Sequence, residues 1–193
     1  MRLELATEKK HHLSSTLSGS WIGCLQVVLG SIFLGLMAQL AIPLPFNPIP
    51  LSVQTLAISL LAISLGSRKA PLAVMAYLVQ ATFGLPVLAG GLSNPLWMIG
   101  PKAGYLIGFV LVAYLVAASI ENQKKKNFFK SWMTFALGEI ILLSCGSLWL
   151  SYFIGLEKAF LLGFLPFLPG ALVKISIATC SLMSFQWAKS RPF

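Results

Sequence analysis

Residues 21–42, WIGCLQVVLGSIFLGLMAQLAI, run for 22 positions without a charged side chain. Wound as an α-helix they extend roughly 33 Å, enough to cross a hydrocarbon core of about 30 Å. The run is too long for the apolar centre of a signal peptide, and no A-x-A site follows it. It reads as a membrane helix, and it sets the terms for the rest of the chain. Immediately after it, Pro43, Pro45, Pro48 and Pro50 rule out a helix interior. Further apolar runs predict helices over 51–65, 70–83, 103–120, 128–152 and 169–188. The first two of these are short, about 22 Å for 15 residues. They extend into the flanking loops, sit in thinned bilayer, or form a hairpin that dips in and out. Residues 84–104 are rich in Gly and Pro yet still apolar, which points to a loop packed against protein or membrane. Residues 155–168 read as an interfacial segment, and Pro169 suits the first turn of the last helix.

Composition agrees. Of 193 residues, 57% are hydrophobic and 10% charged, against about 25% charged in soluble domains. The five acids are Glu4, Glu8, Glu121, Glu139 and Glu157, with no aspartate. That excludes Asp nucleophiles, EF-hands and most two-metal chemistry. His11 and His12 fall in polar residues 1–20, read as a cytoplasmic tail. Cys24, Cys145 and Cys180 are far apart and form no metal-binding spacing. No metal and no cofactor are expected.

The net charge of +9 is distributed by side. Arg2, Lys9, Lys10, Arg68, Lys69, Lys124, Lys125, Lys126, Lys130, Lys189 and Arg191 all fall between or outside spans that a six-helix topology places on one side. The positive-inside rule then puts both termini in the cytoplasm. Scattered in this way, the basic residues do not form a nucleic-acid footprint. The expected architecture is an all-α, multi-pass protein of the cell membrane. Residues 1–20 form the tail, and 21–193 a single six-helix domain. Its three irregular, apolar connections all lie on the non-cytoplasmic side, as in a protein that captures a molecule from outside.

Lys174 is the most informative side chain. A lysine inside a span costs several kcal/mol, so its presence points to a role, and the nearby helix N-terminus favours an anion such as a carboxylate. Outward snorkelling or pairing with Glu139 are the alternatives. Gln54 offers a donor and an acceptor to a ligand or to a neighbouring helix. Asn94 precedes Pro95 and reads as a turn former or a ligand contact. Tyr105 and Trp97 suit stacking or interfacial anchoring, and Lys102 an anion or the water surface. Gly90 and Gly91 point to positive φ or close backbone approach.

The blocks AQLAIPLPFNPIPLSVQTLA (38–57), GLPVLAGG (84–91), GPKAGYLIGF (100–109) and LPGALVK (168–174) resemble the BioY family, the substrate-binding S components of energy-coupling-factor (ECF) biotin transporters. The resemblance covers about residues 30–180. It implies a six-helix S-component bundle, with biotin held near the outer face through Lys174. It also implies partners: a transmembrane coupling protein and a pair of ABC-type ATPases. This chain has no GxxxxGK[ST] motif of its own. Ser31 and Gly35, small residues four apart, match the family's contact with the coupling protein; internal packing is the alternative. The chain departs from the family at Ala171, where an aspartate commonly faces the ureido N–H groups of biotin. Asn94, Ser93, Gln54 and Glu139 are the candidate substitutes. The resulting reading is high-affinity biotin capture and uptake, without enzymatic activity. An S component for another small carboxylate or vitamin, and a non-transporting scaffold, are the other readings. An intramembrane enzyme would need Ser176 or Cys180 to act with Lys174, and those spacings do not align on one helix face.

Overall fold

The computed structural model describes residues 21–43, 49–123 and 127–190. The expected tail over 1–20, the Lys124–Lys126 run, Pro45, Pro48 and Arg191 lie outside them. Helix α1, Trp21–Ala38, ends four residues before the apolar run does. Ala41–Ile42 (β1) instead pairs antiparallel with Leu51–Ser52 (β2), Ala41 opposite Ser52 and Ile42 opposite Leu51. The cause lies at Pro43, whose ring disfavours helical backbone at the preceding residue.

Helix α2, Gln54–Thr82, has 29 residues. If straight, its ends would stand about 42 Å apart. Gly66, at φ 75° and ψ −178°, breaks it. The Gln54 amide donates to the Tyr77 hydroxyl at 2.8 Å, so the two arms lie side by side as an antiparallel hairpin. The expected break is therefore present, but it occupies one residue, and Ser67 to Lys69 already belong to the second arm. The Glu121 carboxylate holds the start of that arm, accepting from the Ser67 backbone N–H at 2.9 Å and from its hydroxyl. A negative charge is favourable at a helix N-terminus.

Gly66 occupies a backbone region open essentially to glycine alone, where another residue costs of order 1–3 kcal/mol. A Cβ there would also collide with the Glu121 carboxylate. Gly66→Ala and Gly66→Asn are both expected to lower the thermal unfolding midpoint in detergent, and by similar amounts. Asn would be the milder change only if Gly66 were left-handed helical; equal losses confirm the hairpin geometry.

Helices α3 (Ala103–Asn122) and α4 (Phe128–Ile154) follow. The Asn127 side chain caps α4, accepting from the Phe129 N–H at 3.2 Å. Gly155 then breaks the chain. The expected interfacial segment is a short helix α5 (Leu156–Gly163) and a 3-10 turn (Leu165–Phe167), leading into α6 (Leu168–Ser190). Helix α3 packs against α2 on one side and α4 on the other. Its seam with α4 is set by glycines that admit the facing helix: Gly104 at Trp149 and Cys145, Gly108 at Leu142, and Gly138 at Val112 and Val116.

The outer surface is apolar as well, with Leu29, Leu36, Val79, Leu111, Ile140 and Val173 exposed. Many hydroxyls on the helices are satisfied locally. Those of Ser59, Ser176, Thr179 and Ser181 each donate to the carbonyl four residues back, as a medium without water demands. Among the described residues, five helices are long and apolar enough to cross a membrane. The chain is an all-helical, multi-pass membrane protein.

Candidate functional site

Two ends of the bundle can be told apart. The Gly66 turn meets the end of α3 through Glu121, and Lys69 donates to Gln26 near the start of α1 at 2.7 Å. Gln123 donates to Thr134 at 3.0 Å, which brings the start of α4 to the same end. At the opposite end lies a cavity of about 180 Å³. The start of α2, the loop after its second arm, the start of α3, the middle of α4 and the first turns of α6 enclose it. Apolar side chains dominate its wall, among them Leu88, Leu92, Trp97, Phe109 and Leu142.

Its polar centre is a closed triangle. The Lys174 ammonium donates to the Thr55 hydroxyl at 2.5 Å, and the Thr55 hydroxyl donates to Glu139 Oε1 at 2.6 Å. Lys174 Nζ also stands 3.3 Å from Glu139 Oε1. Both charged side chains are largely buried, at 14% and 9% exposure. The pairing alternative for Lys174 is thus realised, without removing the residue from the cavity wall. Glu139 Oε2 is buried and has no hydrogen-bond partner among the described residues. Thr55 was not singled out in the sequence. Hydroxyl residues are common in membrane helices, and its place beside Gln54 was the available signal.

Gln54 also lines the cavity, with its amide partly committed. It donates to Tyr77 and accepts from the Ser52 hydroxyl at 3.1 Å. Tyr105 presents its ring to the cavity and donates its hydroxyl to the Gly163 carbonyl at 2.7 Å. Trp97 is held by its indole N–H on the Thr82 hydroxyl at 3.0 Å. Asn94 reaches the wall while its side-chain oxygen accepts from the Leu96 N–H at 3.1 Å, so it forms a turn as well.

Ser93, Gly90 and Gly91 do not line the cavity. The Ser93 hydroxyl donates to the Gly84 carbonyl at 2.6 Å. Gly90 and Gly91, at φ 75° and 74°, form the tip of a tight hairpin in which Leu88 bridges Leu92. Both leucines face the cavity. The Gly90 N–H donates to the Ala38 carbonyl at 3.1 Å, tying this flap to the end of α1. Ala171 is buried in the main apolar core, one turn before Lys174, and is not part of the wall.

Lys102, just before α3, does line the cavity. Burial pushes its ammonium below the usual lysine range. Ser31 and Gly35 both face inward. The Ser31 hydroxyl donates to the Val28 carbonyl and accepts from Gln80 at 2.9 Å, while Gly35 abuts Val87.

The sequence model of the BioY family matches residues 10–191. The chain belongs to the BioY family. The biotin transporter BioY of Thermotoga maritima is 32% identical over 155 residues, covering 79% of this chain and 90% of that one. The biotin transporter BioY of Rhodobacter capsulatus is 32% identical over 182 residues, covering 86% and 94%. The fold resembles the crystal structure of the S-component for biotin from an ECF-type ABC transporter, with a TM-score of 0.78 at 24% identity, over 88% of this chain and 93% of that one. The blocks that carried the BioY resemblance fall on elements around the cavity: the β1–β2–α2 start, the Leu88–Leu92 flap, the α3 start and the first turns of α6.

Proposed function

We propose that this chain captures biotin and carries it across the cell membrane as the S component of an ECF transporter, acting as a binding and uptake subunit rather than an enzyme. The observation that carries the reading is the polarity of the cavity. It has a cation at its outer end, an apolar middle and a hydrogen-bonding triangle deeper in. The α3–α4 seam gives the depth. Gly138 sits against Val112 and Val116, so Glu139 lies ten or more residues of α3 below Lys102, at least roughly 15 Å along the axis. An elongated ligand with a polar head, an apolar body and an anionic tail suits that column.

The anionic tail belongs at Lys102. The charge of Lys174 is already neutralised by Glu139, which leaves Lys174 to act as a hydrogen-bond donor. Gln54 and Tyr105 complete the wall, with Asn94 on the flap side. Ser93, Gly90 and Gly91 shape that flap, and Ala171 supports Lys174 from the core.

The α2 hairpin supports six crossings, two of them by its arms. Arg68, Lys69 and Lys130 gather at the end away from the cavity, which under the positive-inside rule puts that end and both termini in the cytoplasm and opens the cavity outward. A coupling protein and an ABC-type ATPase pair are the partners this reading requires. Ser31 and Gly35 are packed inward, whereas Ile32 and Leu36 of the same helix are exposed, so a coupling protein would meet α1 on that apolar outer face.

The test is equilibrium biotin binding by the purified, detergent-solubilised chain, with other vitamins alongside. Lys102→Ala is expected to weaken biotin about ten- to a hundredfold, the worth of a hydrogen bond to a charged group. Biotin amide, which lacks the carboxylate, should bind both proteins alike. Folded protein that binds another vitamin and no biotin overturns the substrate assignment.

A further inference from the structure

The buried, unpartnered oxygen of Glu139 remains unexplained by the triangle around it. A carboxylate oxygen out of water and without a donor is costly, and native proteins rarely keep one without a use. Glu139 lines the cavity, and its other oxygen is fully engaged by Thr55 and Lys174. Lys174 has three N–H donors, of which Thr55 and Glu139 Oε1 take two. Both side chains belong to the cavity wall, so Lys174 brings an N–H beyond these two contacts, and Glu139 an oxygen without a partner among the described residues, to the same polar centre.

That pair is complementary to a cyclic urea or lactam, in which a C=O acceptor adjoins an N–H donor. We infer that Glu139, a residue of α4, is the specificity-determining acceptor of this cavity. Its Oε2 receives a ring N–H of the ligand, while Lys174 donates to the adjoining ring carbonyl. Thr55 is the positioning residue, since its hydroxyl holds both charged groups in register. The assignment rests on the biotin reading and deepens it. It also accounts for how a wall without an acid on α6 meets a neutral, N–H-donating head group. The negative charge discriminates against ligands whose head offers only acceptors, because two acceptors face to face leave both unpaired.

The experiment pairs a protein change with a ligand change. Biotin, and biotin methylated at both ureido nitrogens, are titrated by equilibrium binding against the purified chain and against Glu139→Gln. Thermal unfolding of both proteins is recorded in the same detergent. The wild type is expected to prefer biotin over the methylated ligand by about ten- to a hundredfold, as for loss of a charged hydrogen bond. Glu139→Gln should lose biotin affinity by a similar factor, and the methylation penalty should shrink in that variant. A purely structural glutamate would instead leave the penalty unchanged. Equal binding of biotin by both proteins, or of both ligands by the wild type, overturns the assignment. The wild-type ligand comparison holds even if Glu139→Gln does not fold. A wild type that binds no biotin sinks the biotin reading and this assignment with it. Biotin binding that ignores Glu139 sinks the assignment alone.

Discussion

Replacing Lys174 by methionine is expected to lower stability by about 3–5 kcal/mol, the cost of leaving one member of a buried ion pair without its partner. Methionine keeps the unbranched stem, so the loss is of charge and hydrogen bonds more than of packing. Glu139 would be left with Thr55 as its single donor among the described residues, in a bundle whose outer face has no water to offer. The same reasoning predicts the rescue. Buried ion pairs can often be exchanged for apolar residues at little cost, so Lys174→Met combined with Glu139→Leu should recover most of the lost midpoint. Biotin binding should not return with it. Thermal unfolding and biotin titration of the wild type, the single variant and the double variant check this. A double variant as unstable as the single one would show that the pair is not the source of the loss. A double variant that binds biotin normally would show that neither residue meets the ligand.

The sequence made some of this legible, for physical reasons that differ by residue. Lys174 stood out because an intramembrane ammonium is costly enough to be informative, and its pairing with Glu139 was one of the two alternatives to a ligand role. Thr55 was silent, because a membrane-helix threonine usually hydrogen-bonds its own backbone. Here the hydroxyl is turned to a carboxylate 84 residues away instead. The turn near Gly66 could be seen in its residues, but its one-residue length could not. That depends on Glu121 reaching back from the end of α3, a contact 54 residues apart. The end of α1 was misread because Leu40, Ala41 and Ile42 continue the apolar run. Hydropathy does not separate helix from strand there, whereas the proline at 43 does. Asn94 and Ser93 were neighbours in sequence and equal as candidates. Local turn geometry sends one to the cavity wall and the other to the Gly84 carbonyl. Ala171 stood out only through the resemblance, as the position where the family commonly carries an aspartate. The rotation of α6 points it into the apolar core.

Gly146→Ala is expected to disturb both the fold and the cavity, although Gly146 does not itself line the cavity. A Cβ at this position would fall within the Tyr105 ring, overlapping Cγ, Cδ1 and Cε1. The ring has nowhere to go. It is 7% exposed, its hydroxyl is bound to the Gly163 carbonyl, and Phe167 lies 6.4 Å from it, centroid to centroid. Either α3 and α4 separate or Tyr105 abandons its hydrogen bond. Overpacking costs about 1–3 kcal/mol, and an orphaned buried carbonyl about 1–3 more. Since Tyr105 forms cavity wall, biotin affinity should fall with stability. Tyr105→Ala opens the space that the new methyl needs. The double variant Tyr105→Ala/Gly146→Ala should therefore be more stable than the sum of the single losses predicts, the signature of two residues in contact. Gly100→Ala serves as the control: its φ is −80°, and an added Cβ would meet only the Trp97 carbonyl at 3.6 Å. It should unfold near the wild-type midpoint. Additive losses at 105 and 146, measured by thermal unfolding in detergent, would mean that the α3–α4 seam yields at that point. The ring position would then be set by the Gly163 carbonyl instead of by the bare backbone of Gly146.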